Sequence, residues 1–156
     1  LALGDADGVL SFNQAYDKHS FYRVSTNANN GTAVLYSADT LKAGSNSIAA
    51  IGATAATSVP GSAQFGLAGD SSDPNWALTS LVETGNYDGG EGTITVGGTA
   101  EFAFDTASLT SPVEIATAAG TITCDTGVVR YLGNISTTTP PGIYKTSITY
   151  LVTPTY

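Results

Sequence analysis

The chain has 156 residues, 42% of them apolar and 12% charged, with a formal net charge of −8. A length near the common domain size points to one domain with its own core, and this balance excludes intrinsic disorder, which needs low hydrophobicity and high charge. Only five Lys and Arg residues are present, too few to build the basic face that a nucleic acid or an anionic membrane surface requires.

No run approaches the ~20 consecutive apolar residues of a spanning helix, so no membrane insertion is expected. The single cysteine, Cys124, forbids an internal disulfide, and with one Cys and one His a zinc site would need carboxylates for most of its ligands. Thr, Ser, Asn and Gly supply most of the polar character, which suits an extracellular surface. A chain that begins at Leu1 and holds no Met reads as a processed form from which a targeting segment has been removed.

In chain order, Leu1–Phe12 comes first. Its apolar residues Leu1, Leu3, Val9, Leu10 and Phe12 precede the first convincing strand, so 1–12 reads as an N-terminal arm and 13–156 as the domain. The arm is a candidate donor strand whose five apolar residues would contact a neighbouring subunit. Ser20–Thr26 is strand-like and ends in the turn-rich run Asn27–Gly31. Thr32–Ser37 resumes an apolar pattern, so the two are expected to form a hairpin with a longer loop. The best helical stretches, Ser47–Ala56 and Trp76–Val82, are short. Strand patterns follow at Ser47–Gly52, Ala63–Leu67, Thr93–Val96, Ala100–Phe104, Val113–Ala116, Gly120–Cys124 and Val128–Leu132. Phe102 and Phe104 are expected on one face. In Ile143–Val152, Tyr144, Thr146, Ile148, Tyr150 and Val152 share a face, with Lys145, Ser147 and Thr149 on the other. Short strands with turn signals every ten residues or so indicate an all-β fold, a single β-sandwich of immunoglobulin-like or jelly-roll-like type with Greek-key connections. Gly69–Gly92, rich in Asp, Ser, Asn and Gly, reads as one long loop excursion.

The inventory for catalysis is poor, and no enzyme is expected. His19 is the only histidine, so any Ser-His-Asp triad must use it; it reads as a solvated loop residue just before a strand. Cys124 shares a strand face with Ile122 and reads as a small buried hydrophobe, since no neighbouring positive group lowers its pKa. Asp5-Ala6-Asp7-Gly8 begins like a calcium loop, but Tyr16 stands where an EF-hand needs Glu. Asp70 with Asp73, and Asp88 with Glu91, are two further oxygen-rich pairs. Each of the three places could take Ca²⁺, and each is also a natural turn former. No other cofactor is indicated. Asn30-Gly31-Thr32 and Asn134-Ile135-Ser136 are glycosylation acceptor sequences at Asn30 and Asn134. Trp76 and Tyr87, within loop 69–92, are the aromatic candidates for contact with a carbohydrate or a partner protein.

Two stretches carry a family resemblance. Tyr22–Ala28 followed by Gly31–Tyr36 and Leu41–Ile48 resembles the opening of secreted prokaryotic surface modules of β-sandwich type. Asn134–Tyr144, with its Pro140-Pro141-Gly142-Ile143-Tyr144 turn, and the ending Thr149-Tyr150 to Thr153–Tyr156 are similar to the last hairpin of exported fibre-forming subunits. TasA-like and archaeal bundling-pilus subunits come first, chaperone–usher pilins second. The chain departs from them in having no camelysin-type metal motif and no cysteine pair. The resemblance implies a homopolymer on the cell surface, built by donation of the N-terminal strand to the next subunit, with a neighbouring or host cell surface as a further partner. The alternative is a monomeric surface-binding module using loop 69–92.

The shortage of charge bears on the same question independently. Isolated β-proteins guard their edge strands with Lys and Pro. Three Lys and two Arg are few for so many strands. Candidate walls for an acceptor groove are Tyr144–Val152 and Phe21–Val24.

Overall fold

The computed structural model describes residues 1–74 and 80–156. Eleven strands follow in chain order: β1 (Tyr16–Thr26), β2 (Thr32–Ala38), β3 (Lys42–Ala43), β4 (Asn46–Ser47), β5 (Gly52–Thr57), β6 (Gln64–Gly69), β7 (Val82–Glu83), β8 (Glu101–Phe104), β9 (Val113–Ala118), β10 (Ile122–Asn134) and β11 (Ile148–Pro154). One sheet has the order β1-β10-β6-β8-β5 and the other β11-β2-β9-β7, while β3 and β4 form a small separate hairpin. The strand pairings within the sheets are antiparallel, and the sheets pack together as the expected all-β, sandwich-like fold. Among the described residues no helix is long and apolar enough to cross a membrane.

The alternation that marks strands in the sequence also places the core. In β2, Thr32, Val34, Tyr36 and Ala38 are buried and the residues between them only half-buried, because β2 lies between β11 and β9 with one face toward the opposite sheet. Tyr36, Phe65 and Phe104 form the aromatic centre, with ring centroids 5.1 and 5.6 Å apart around Phe104. Tyr36 also meets Tyr87 edge-on at 5.5 Å, with their hydroxyls 2.9 Å apart. Burial and this contact push the Tyr87 hydroxyl well above the ordinary tyrosine range.

Several local expectations are corrected. β1 and β2 do not form a hairpin; they lie in different sheets, and residues 27–31 carry the chain across. The long partner of β1 is β10, running from Tyr16↔Gly133 to Thr26↔Ile122, and a pairing over that separation leaves no local sequence signal. Ser47–Ala56 is not helical but runs from the end of β4 into β5, and Gly52 at φ +123° lies outside helical backbone. Thr93–Val96 is not a strand. The amides of Gly98 and Ala100 bond back to the carbonyls of Thr95 and Thr93, closing a tight turn that leaves Val96 exposed. Phe102 and Phe104 do not share one cluster: Phe104 is in the main core, while Phe102 packs with Ala68, Ala100 and Leu132. β8 lies between β6 and β5, and Phe102, Ala103 and Phe104 are all buried, so it has no solvent face to mark the alternation.

Candidate functional site

The two sheets each expose one long outer strand, β1 and β11. These strands meet through their tyrosines. The Tyr22 and Tyr150 rings stack with centroids 6.5 Å apart. Ser20 Oγ lies 2.7 Å from the Tyr131 hydroxyl, which lies 2.6 Å from the Tyr150 hydroxyl. Burial, then the neighbouring Tyr131, drives the Tyr150 hydroxyl far above its usual range, and burial does the same to Tyr22.

No ladder joins β1 to β11, so a seam stays open between them. Toward the start of both strands the seam widens to a groove of about 1070 Å³, walled by Leu3, Leu10, Tyr131, Ile135, Ile148 and Tyr150. Toward their ends lies a shallower cleft of about 680 Å³, bordered by Ser25, Thr123, Val152 and Tyr156. The groove wall contains Tyr144 and, from β11, Ile148 and Tyr150. On the other side it is made by Ser20 and Tyr131 rather than by Phe21–Val24.

The free edge of β11 can be assigned residue by residue. The Thr155 amide donates to the Gly31 carbonyl and the Asn30 amide to the Thr155 carbonyl, so Thr155 faces β2. By strand alternation, Thr153, Leu151 and Thr149 also bond toward β2. The backbone groups of Ile148, Tyr150 and Val152 then point outward. β11 carries no charged side chain and one terminal Pro154, whereas β1 carries Asp17, Lys18, His19 and Arg23. Only β1 has the charge that ordinarily guards an edge.

Leu1–Leu3 and Asp7–Leu10 line this groove, and residues 1–12 form no strand. Leu3 and Leu10 pack against the core, while Leu1, Val9 and Phe12 are exposed. The segment folds on itself: the Asp5 amide bonds the Val9 carbonyl and the Gly8 amide the Asp5 carbonyl. Asp5 Oδ2 accepts from the Tyr16 hydroxyl at 3.2 Å and Asp7 Oδ1 from the Val9 amide at 3.0 Å. These two carboxylates shape the turn and anchor it to β1.

Of the other acidic candidates, Asp70 is buried and bonds Ser72 and the Nε2 of His19 at 3.1 Å, and Asp73 Oδ2 lies 3.8 Å from His19 Nδ1. His19 is therefore a half-buried strand residue clasped by two carboxylates, and not the solvated loop residue expected. Asp88 and Glu91 come together with Glu83, ligand atoms within 4.8 Å of one another, the only such acidic group among the described residues. Glu91 is also bonded by Ser71. These three are the residues placed to take a hard cation. Glu83 carried no signal in the sequence; it converges on the pair because β7 pairs with β9.

Burial, the charges of Glu91 and Asp88, and a hydrogen bond to Asp88 that its protonated form can donate raise Glu83 to about 8. A carboxyl raised in this way favours the fold while neutral. Its contribution is complete below the unfolded value of 4.5 and is lost as pH rises toward 8. Glu83→Gln is expected to flatten that slope and to stabilise the chain at pH 9 by on the order of 1–2 kcal/mol, after allowance for solvent screening. Chemical denaturation at pH 5 and 9 checks this; an unchanged difference between the two would refute it.

The remaining candidates separate cleanly. Trp76 lies outside the described residues. Tyr87 does not present itself to a ligand: it is buried, with its hydroxyl on Tyr36. Asn134 is likewise no glycan acceptor, being fully buried with its amide bonded to Ser58 and Gln64; it sits in β10, between β1 and β6. Asn30 is exposed at the β1–β2 crossing. Cys124 is exposed rather than buried. Between Val24↔Asp125 and Thr26↔Ile122, two steps of β1 face three of β10, and Cys124 is the extra residue, at φ +63°. Searches against protein families, curated proteins and solved structures give no match to the chain.

Proposed function

We propose that this chain is a structural subunit of an extracellular filament, assembled from identical copies when residues 1–12 of one copy add to the sheet edge of the next. The observation that carries this reading is the uncharged outer edge of β11 beside an apolar groove. Strand addition needs unpaired main-chain donors and acceptors together with pockets for alternate side chains. The edge supplies the groups of Ile148, Tyr150 and Val152, and the groove supplies the pockets. The arm supplies apolar side chains at Leu1, Leu3, Val9, Leu10 and Phe12. A head-to-tail contact of this kind propagates without closing. The exposed residues Leu1, Val9 and Ile143 lie among those bordering the groove, so its mouth is apolar as well.

Negative-stain electron microscopy of the purified chain, beside a version beginning at Asn13, tests the reading. Fibres are expected from the full chain and single-subunit particles from the shortened one. Fibres of normal length from the shortened chain would remove the arm from the mechanism.

A further inference from the structure

The arm already lines part of the groove in its own chain, and one of its contacts with the sheet is defined. Leu3 sits over Gly133 of β10. A Cβ built on Gly133 lies 2.8 Å from Leu3 Cδ1 and 3.7 Å from Leu3 Cβ. A side chain at 133 would press on the end of Leu3, so the two residues are direct neighbours. Leu10 packs against the same core at the other end of the arm. Between Leu10 and β1 stand only the residues from 11 to 15, enough to span at most ~18 Å when extended. Within them one turn bond runs from the Gln14 amide to the Ser11 carbonyl at 3.3 Å. A segment with a defined seat and a short connector can exchange with the same segment of a second molecule, because the contact that Leu3 makes within one chain can be made between two.

Building on the filament reading, we infer that the seat of Leu3 over Gly133 is also the seat for the arm of a second copy. Assembly is then exchange: the arm leaves its own groove, and the Leu3 of a neighbour takes the place over Gly133. The occupant is another copy of this chain, because the place over Gly133 already holds Leu3 of this same segment. The anchoring contacts that must open are few: Tyr16 with Asp5, and the Ser11 amide with the Tyr16 hydroxyl at 3.1 Å.

The 3.7 Å spacing falls within the Cβ–Cβ range of a disulfide, which provides a direct test. Two chains are made, both with Cys124→Ser; one carries Leu3→Cys and the other Gly133→Cys. They are mixed under assembly conditions and oxidised, and the disulfide is mapped by peptide mass spectrometry. A third chain with Val96→Cys, at an exposed turn, replaces Leu3→Cys to report random collision. The crossed 3–133 disulfide is expected in excess of the 96–133 disulfide by on the order of tenfold or more, because the seat raises the effective concentration of the two thiols. Equal yields would overturn the shared seat. Electron microscopy of the unaltered chain separates the two readings. Fibres without the crossed disulfide leave the filament standing and refute this seat. The crossed disulfide without fibres keeps the seat and refutes the filament in favour of a closed exchanged dimer. Absence of both refutes both.

Discussion

A chain carrying Val152→Pro is expected to stay monomeric where the unaltered chain forms fibres, with little loss of fold stability. The amide of Val152 points away from β2, since the hydrogen-bonded partners alternate from Thr155 backward through Thr153 and Leu151. Proline at 152 removes an outward donor and leaves the β11–β2 ladder intact. The side chain it replaces is about half exposed, so the packing loss is small, and the cost to the fold is expected to be about 1 kcal/mol. The same change at Leu151 has the opposite signature: its amide serves the ladder to β2, so Leu151→Pro is expected to unfold the edge and lower the melting temperature sharply. Analytical ultracentrifugation and thermal melts on the two variants distinguish strand addition at β11 from association through side chains alone. Fibres from Val152→Pro at normal yield would mean that the edge ladder is not used.

The second large effect concerns stability. Arg130 is buried in β10 and ties three segments together. Its Nε donates to Asp17 Oδ2 at 2.6 Å, its Nη1 donates to the carbonyls of Gly90 and Gly92 at 2.5 and 2.9 Å, and its guanidinium lies 5.8 Å from the centre of the Phe102 ring. Arg130→Met keeps the stem but strands those carbonyls and the carboxylate. Each stranded group costs about 1–3 kcal/mol, and the pair is partly open to water, so a total loss of about 2–4 kcal/mol is expected. That corresponds to a melting temperature lower by roughly 5–15 °C for a chain of this size. Arg130→Lys is expected to recover only part of it, because a single ammonium cannot reproduce the planar fork. Faster amide exchange in residues 88–92 accompanies the loss. A denaturation midpoint that does not move in Arg130→Met would show that water replaces these bonds without cost.

The fold class was legible because period-two burial is local. The sequence alternation through Tyr144, Thr146, Ile148 and Tyr150 reappears as half-buried positions between exposed Lys145, Ser147, Thr149 and Leu151. Pairing was not legible. β1 with β10, and β11 with β2, are contacts between distant parts of the chain, decided by which faces can be buried together. Nor was the face of Cys124, because one extra residue in β10 reverses every assignment beyond it. At the site, the arm and the final strand stood out as apolar stretches. Glu83, Tyr131 and Gly133 did not, since each acts only through partners that the topology brings from elsewhere.

The arm and the groove lie in the same subunit but are not equivalent, so the filament we propose would have two chemically different ends. One end presents an unfilled acceptor and the other a donor with nothing to enter. A copy beginning at Asn13 can fill neither its own groove nor a neighbour's, yet it can still receive a strand. It is therefore a terminator of one end only, and a small fraction of such copies sets filament length without dissolving the filaments already made.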